Sequence, residues 1–206
     1  MTDSDEQLLD EDTWAAFAAA TAGRTTLPFF DRAIAVTGGD DGAGRLVVDL
    51  GCGTGVETRA FLERGWSVFA SDGEPRAIDV VTAEVPDEHR SRLTTAVGRF
   101  VEVDLPPADL VYAQFSLPFA ADEFDESVAG ALAAVRPGGW FVGQFLGQHD
   151  TWAPDADVAP VDRVDLERLF AGFEMTIDEQ EYDGPSGAGP KHWHIFHVEA
   201  RRPMSR

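Results

Sequence analysis

The sequence predicts an α/β protein of three layers, helix, sheet and helix, around a mostly parallel seven-stranded sheet whose last strand runs antiparallel. Three observations carry this expectation. The apolar, β-branched run Arg45-Leu46-Val47-Val48-Asp49-Leu50 enters the glycine turn Gly51-Cys52-Gly53-Thr54-Gly55, and a helical pattern starts at Val56. Short apolar runs then alternate with helical patterns as far as about residue 170, which is how parallel strands and their crossovers read. The chain closes with two apolar-rich runs, 173–182 and 193–200, the pattern of an antiparallel pair. At 206 residues and 44% apolar content, one domain over residues 13–206 is expected, after a polar, acidic and disordered stretch over 1–12.

In chain order, Trp14, Phe17 and Ala18, then Leu27, Phe29, Phe30 and Ile34, predict two short amphipathic helices broken near Gly23, a helical cap over 13–37. Gly38-Gly39-Asp40-Asp41-Gly42 marks a loop before the first strand. The helix after the glycine turn ends near Gly65, and residues 66–72 read as a second strand ending in Asp72. Residues 75–85 form a helix with Pro75 near its start, and 93–97 a short third strand. Residues 108–114 are the fourth strand, leading into Phe115-Ser116-Leu117-Pro118-Phe119, an apolar floor where open α/β sheets bind ligands. A helix over 123–135 is stopped by Arg136-Pro137-Gly138-Gly139, and 140–146 is a buried fifth strand. A helix over 165–170 precedes the terminal pair, whose runs are separated by Gly184-Pro185-Ser186-Gly187-Ala188-Gly189-Pro190, read as its connecting loop.

The formal charge is −21, and among 16 basic residues only Lys191 is a lysine. Such an acid-rich, lysine-poor surface suits high ionic strength, which screens self-repulsion, so a halophilic source is expected. Without a basic patch or a stacking run, nucleic acid is disfavoured as a partner. No stretch has the length of a membrane span, the start is acidic rather than signal-like, and the single Cys52 excludes an internal disulfide or a cysteine metal cage. A cytoplasmic location follows as the expectation.

Glycines at every second position allow a sharp turn and close approach of a ligand. A dinucleotide fingerprint puts its third glycine one place later, where Val56 stands. Asp49 followed by Gly51-x-Gly53-x-Gly55 instead resembles the first motif of the class I S-adenosylmethionine-dependent methyltransferases. The Arg136-Pro137-Gly138-Gly139 junction is a second feature shared with them. Asp49 to Gly55, Arg64-Gly65-Trp66, Ala70-Ser71-Asp72 and Lys191-His192-Trp193-His194-Ile195-Phe196 look most like small domains of the tellurite-resistance type.

That resemblance implies a Rossmann-like methyltransferase fold, S-adenosyl-L-methionine as cofactor, and methyl transfer to a small-molecule acceptor. It also implies a cofactor set of Asp49, Gly51, Gly53, Gly55, Asp72, Gly73, Phe100 and Gln114. Asp72 lies 21 residues after Gly51 (72 − 51), near the spacing at which an acid meets ribose hydroxyls, and the upstream motif favours that role over a solvated strand-end acid or a helix cap before Pro75. Arg99 and Phe100 stand where the family often has an acid for the adenine amine, so Phe100 is read as covering the ring or as core. Arg24 is read as a partner of the methionine carboxylate or of a surface acid. The absence of an Asn/Asp-Pro-Pro-aromatic tetrad after the fourth strand argues against amino-directed DNA methylation.

Base candidates are His149, Asp150, Tyr112, His192 and His194. His192 and His194 share one face of a strand but lack a third metal ligand in sequence, so no metal is assigned. Trp14 and Trp152 are read as a lid over the acceptor or as core. Two other functions compete: a non-catalytic S-adenosylmethionine-binding regulator, and a nicotinamide oxidoreductase, which Val56 opposes.

Overall fold

The computed structural model describes residues 11–21, 23–39, 41–42, 44–186 and 189–204. The acidic stretch 1–10 and the side chain of Trp14 lie outside the described residues. The expected N-terminal pair is α1 (Glu11–Thr21) and α2 (Pro28–Val36), with Pro28 in the first turn of the latter. Then follow β1 (Leu46–Leu50), α3 (Val56–Glu63), β2 (Ser67–Asp72), α4 (Pro75–Glu84), a single turn α5 (Asp87–Arg90) and β3 (Leu93–Val97). The second half holds β4 (Ala108–Ala113), a 3-10 segment (Leu117–Glu123), α6 (Phe124–Ala134), β5 (Val135–Leu146), α7 (Arg163–Leu169), β6 (Glu174–Ser186) and β7 (Gly189–Arg201).

The seven strands make one sheet in the order β3-β2-β1-β4-β5-β7-β6. Strands β1 to β5 pair in parallel, and β7 is inserted antiparallel between β5 and β6. The order reverses between β1 and β4, which opens a crevice at their carboxyl ends. Both faces of the sheet are covered, and this is why β1 reads as continuous apolar sequence instead of alternating. On one face Phe29, Phe30, Phe61 and Trp66 pack with Tyr112 and Val142. On the other, Val128, Leu132 and Leu166 pack with Val111, Phe141, Phe145 and Phe170.

Two local expectations need correction. Arg136 to Gly139 belong to β5, since Val135 pairs with Ala108 and Trp140 with Leu110. The segment bulges out of the ladder, with Gly138 at φ 81, so it stops the helix and re-enters the sheet without leaving the strand. Residues 184–186 and 189–190 of the expected loop are strand instead: Gly184 pairs with Lys191, Pro185 with Pro190 and Ser186 with Gly189, while 187–188 lie outside the described residues. The prolines are tolerated because β6 is an edge strand and β5 reaches β7 only from Ile195 onward, so neither missing N–H breaks an interior ladder.

Candidate functional site

Gly51, Gly53 and Gly55 have φ of 74°, 51° and 75°, the left-handed region that side chains resist. Their neighbours differ. A Cβ on Gly51 would lie 2.3 Å from Ser116 Cβ, and one on Gly55 2.6 Å from Val81 Cγ2, so packing alone requires glycine there. Among the described residues, a Cβ on Gly53 would meet only the far edge of the Phe17 ring, 2.9 Å away. The middle glycine therefore presents bare backbone toward α1. Backbone N–H groups of Gly51 and Cys52 donate to Ser71 O at 2.8 and 3.0 Å and fix the turn to β2.

Two acids flank it. Asp72 accepts from Gly53 N–H at 2.8 Å through Oδ2 and from Glu74 N–H at 2.9 Å through Oδ1. Burial raises its pKa against these two bonds. A carboxylate has about four lone-pair sites, so both oxygens retain acceptor capacity. Asp49 is 3% exposed and accepts from Thr58 Oγ1 at 2.5 Å. Burial pushes its pKa to about 7; the Thr58 bond opposes this, and the charges of Glu57 and Asp72 add to it. The Cys52 thiol is pushed well up by burial and then by Asp49 and Asp72, which leaves it a protonated turn residue.

The helical cap closes over this turn. Thr54 Oγ1 donates to Thr21 Oγ1 at 3.0 Å, and Arg24 grips Glu57 with two bonds of 2.7 and 2.9 Å. Of the two partners sequence allowed for Arg24, the structure shows an acid, on the first turn of α3. Gly73 follows Asp72 at the β2 end and is exposed, with Gly98 O beside it. Phe100 is partly buried and packs against the core cluster on the α6 side. Arg99 bonds Glu102 at 2.9 Å and also Glu123. Gln114 Oε1 accepts from Tyr112 O–H at 2.5 Å. Tyr112 is 1% exposed and its pKa is driven well above 10 by burial, which removes it as a base.

Beyond β4 the chain strains. Phe115 has φ 49°, a conformation that costs a non-glycine residue about 1–2 kcal/mol. Its ring lies 5.4 Å from that of Trp193, which lies 5.6 Å from Trp152, itself 6.2 Å from Phe119. Lys191 Nζ sits 3.3 Å from the Trp152 ring centroid and 3.8 Å from that of Trp193. It is bonded to Asp150 Oδ1 at 2.5 Å. Asp150 also accepts from Trp152 N–H at 3.0 Å and His194 N–H at 3.1 Å, so it is committed to structure. Ser116, next to Phe115, is 7% exposed, and its Oγ has no hydrogen-bond partner among the described residues.

Sequence reasoning missed Ser116 and Glu57. A serine in an apolar pentad carries no pattern, and an acid in the first turn of a helix reads as an ordinary favourable charge. The remaining base candidates, His149, His192 and His194, gather at the β6–β7 hairpin with carboxylates as neighbours.

Residues 47–139 match the methyltransferase domain family. The magnesium-protoporphyrin O-methyltransferase of Rhodobacter capsulatus is 38% identical over 78 residues, 38% of this chain. The chain spans only 35% of that protein's length. Among solved structures, YcgJ from Bacillus subtilis superposes with a TM-score of 0.72 at 9% identity, covering 86% of this chain and 99% of its own. TehB from Haemophilus influenzae gives 0.70 at 14% identity, covering 90% of this chain and 65% of its own. The three left-handed glycines at the β1–α3 turn and the acid closing β2 lie within the residues that match the methyltransferase domain, and the sheet with its inserted antiparallel β7 has the fold of these solved structures.

Proposed function

We propose that this chain binds S-adenosyl-L-methionine across the glycine turn and catalyses transfer of its methyl group to a small-molecule acceptor by in-line displacement. The observation that carries the reading is Gly53: a left-handed glycine that, among the described residues, has only Phe17 packed on its forward side, and whose N–H is held by Asp72. Ser116 Oγ beside Gly51, without a partner among the described residues, fits the same ligand, because a buried hydroxyl without a bond is costly unless something polar arrives.

The cofactor, when bound, supplies an activated methyl group. The chain's own residues bind, align and exclude water. Gly51, Gly53 and Gly55 give close backbone, Asp72 supplies acceptors for ribose hydroxyls, and Asp49 faces the ammonium group. Gly73, Gln114 and Phe100 complete the nucleoside side, and Arg24 keeps the cap closed through Glu57. Phe115, Trp193, Trp152 and Phe119 form an apolar wall on the acceptor side. No base needs to stand ready when the acceptor arrives with a free lone pair. The Rhodobacter relative bears the name of an enzyme acting on a small molecule, magnesium-protoporphyrin, which supports the acceptor class. A screen with methyl-labelled cofactor across small acceptors tests the reading. Labelled product is expected, whereas cofactor binding with no product across the screen would support a regulatory binding protein.

The Asp49 carboxyl makes a pH prediction. Its folded pKa of about 7 exceeds the ordinary 3.8, so the folded state holds the extra proton between those values. This group's contribution to stability is therefore largest below pH 3.8 and falls as pH rises to about 7. A bound ammonium favours the carboxylate, so cofactor affinity should rise with pH up to about 7 and release a proton. Calorimetry in buffers of different ionisation heat checks this, and Asp49→Asn should flatten the profile.

The acidic surface is, in the same reading, a halophilic adaptation. Among the described residues no helix is long and apolar enough to cross a membrane. With a net charge of −21, the melting temperature should rise from low to molar potassium chloride. The rise should be roughly 3 °C for each kcal/mol gained. A flat or falling melting curve would contradict the adaptation.

A further inference from the structure

Glu179, Glu181 and Asp183 alternate along β6 and therefore share one face of that edge strand. The register sets Glu181 opposite His194 and Asp183 opposite His192. The turn after β5 brings His149 to the same place, its ring 5.0 Å from that of His194. Three of the chain's five histidines thus meet at one end of the hairpin. In sequence His192 and His194 have no third partner; the fold instead brings His149 and Glu181 to His194.

We propose that His149, His194 and Glu181 form a binding site for a divalent transition-metal ion. One ligand atom from each lies within 4.8 Å of the other two. A tetrahedral ion with N and O ligands at about 2.0–2.1 Å needs them roughly 3.4 Å apart, within reach of small side-chain rotations. Two imidazoles and a carboxylate suit zinc, cobalt or nickel better than calcium or magnesium, which take oxygen ligands.

The surroundings favour this use over a plain ion-pair cluster. His194 is 5% exposed, and among the described residues its Nδ1 accepts only a long 3.2 Å bond from His149 N–H. Its Nε2 lies 3.1 Å from Glu179 Oε1. Ligation through Nδ1 would give up the long bond and leave Nε2–H donating to Glu179, the carboxylate–imidazole support that metal-bound histidines use. Glu179 is itself held by Arg163 at 3.3 Å. His149 and Glu181 are exposed, which opens the site to an ion from solvent. His192 bridges Glu181 at 3.0 Å and Asp183 at 2.8 Å. The face carries three carboxylates, and a doubly charged ion offsets that excess. Occupancy would tie the hairpin to the segment holding Asp150 and Trp152, and so to the aromatic wall.

Cobalt(II) chloride titrated into the full chain in potassium chloride tests the site, with visible absorption read alongside calorimetry. The parent should bind one ion with the strong visible bands of low-coordinate cobalt, and zinc should bleach them. His149→Ala, at an exposed position that leaves the core intact, and Glu181→Gln should each weaken binding at least tenfold. Glu179→Gln, a change to the residue that orients His194, should weaken it roughly 10–100-fold. Asp87→Asn, an exposed acid elsewhere, should leave it unchanged. The proposal is overturned if the parent shows neither bands nor heat, if His149→Ala binds like the parent, or if Asp87→Asn weakens binding as much as Glu181→Gln.

Discussion

Gly53→Val is expected to bind S-adenosylmethionine at least 100-fold more weakly than the parent, about 2.8 kcal/mol, while its sheet stays folded. The three turn glycines are not equivalent as targets. Substitution at Gly51 or Gly55 drives a Cβ into Ser116 or Val81, so loss of binding there would be confounded by damage to the packing. At Gly53 the only close neighbour among the described residues is the end of the Phe17 side chain, on the exposed face of α1, and it can move. The folded protein pays mainly the left-handed conformation, φ 51°, about 1–2 kcal/mol. The side chain then fills the space a ligand must enter. Gly53→Asn separates the two effects, because asparagine tolerates the backbone conformation and still adds bulk. Both variants should lose binding, and Asn should lose less stability. Normal cofactor affinity in a folded Gly53→Val protein would refute the placement.

Asp150→Ala should destabilise the chain by about 3–5 kcal/mol, the cost of stranding a buried charge. The side chains of Lys191 and Asp150 are 2% and 0% exposed and 2.5 Å apart. Burial already lowers the Lys191 pKa, so its ammonium depends on Asp150 and on the faces of Trp152 and Trp193. A fall in melting temperature of roughly 10 °C is the expected reading. Adding Lys191→Met should recover part of the loss by removing the stranded cation. Recovery stays partial because Asp150 also accepts the N–H groups of Trp152 and His194. Strict additivity of the two changes would contradict the coupling. The only lysine in this acidic chain thus sits inside the fold rather than on its surface.

What was legible in sequence was whatever repeats a backbone rule. β1, β3 and α3 follow from apolar runs, glycine placement and the helical period, and their observed bounds fall within a residue or two of the expected ones. The antiparallel pair was legible, but its extension through 184–186 and 189–190 was hidden because Gly and Pro there mimic a loop, and only its edge position in the sheet makes the pairing of Pro185 with Pro190 tolerable. The site divides the same way. The glycines and Asp72 are recognisable since backbone geometry demands them at fixed spacing. Ser116, Glu57 and the Lys191–Asp150 pair depend on which strands and loops meet, and residues 33 or 41 positions apart leave no local trace. His149 joins His194 by the same tertiary accident of register.

Calorimetric titration of the parent protein with S-adenosylmethionine, S-adenosylhomocysteine and NAD, side by side in molar potassium chloride, tests the central claim most directly. One equivalent of each sulfur nucleoside should bind, and NAD should give no heat, since Val56 stands where a pyrophosphate-binding turn needs its third glycine. Binding of NAD alone, or of none of the three, would contradict a cofactor site at the glycine turn.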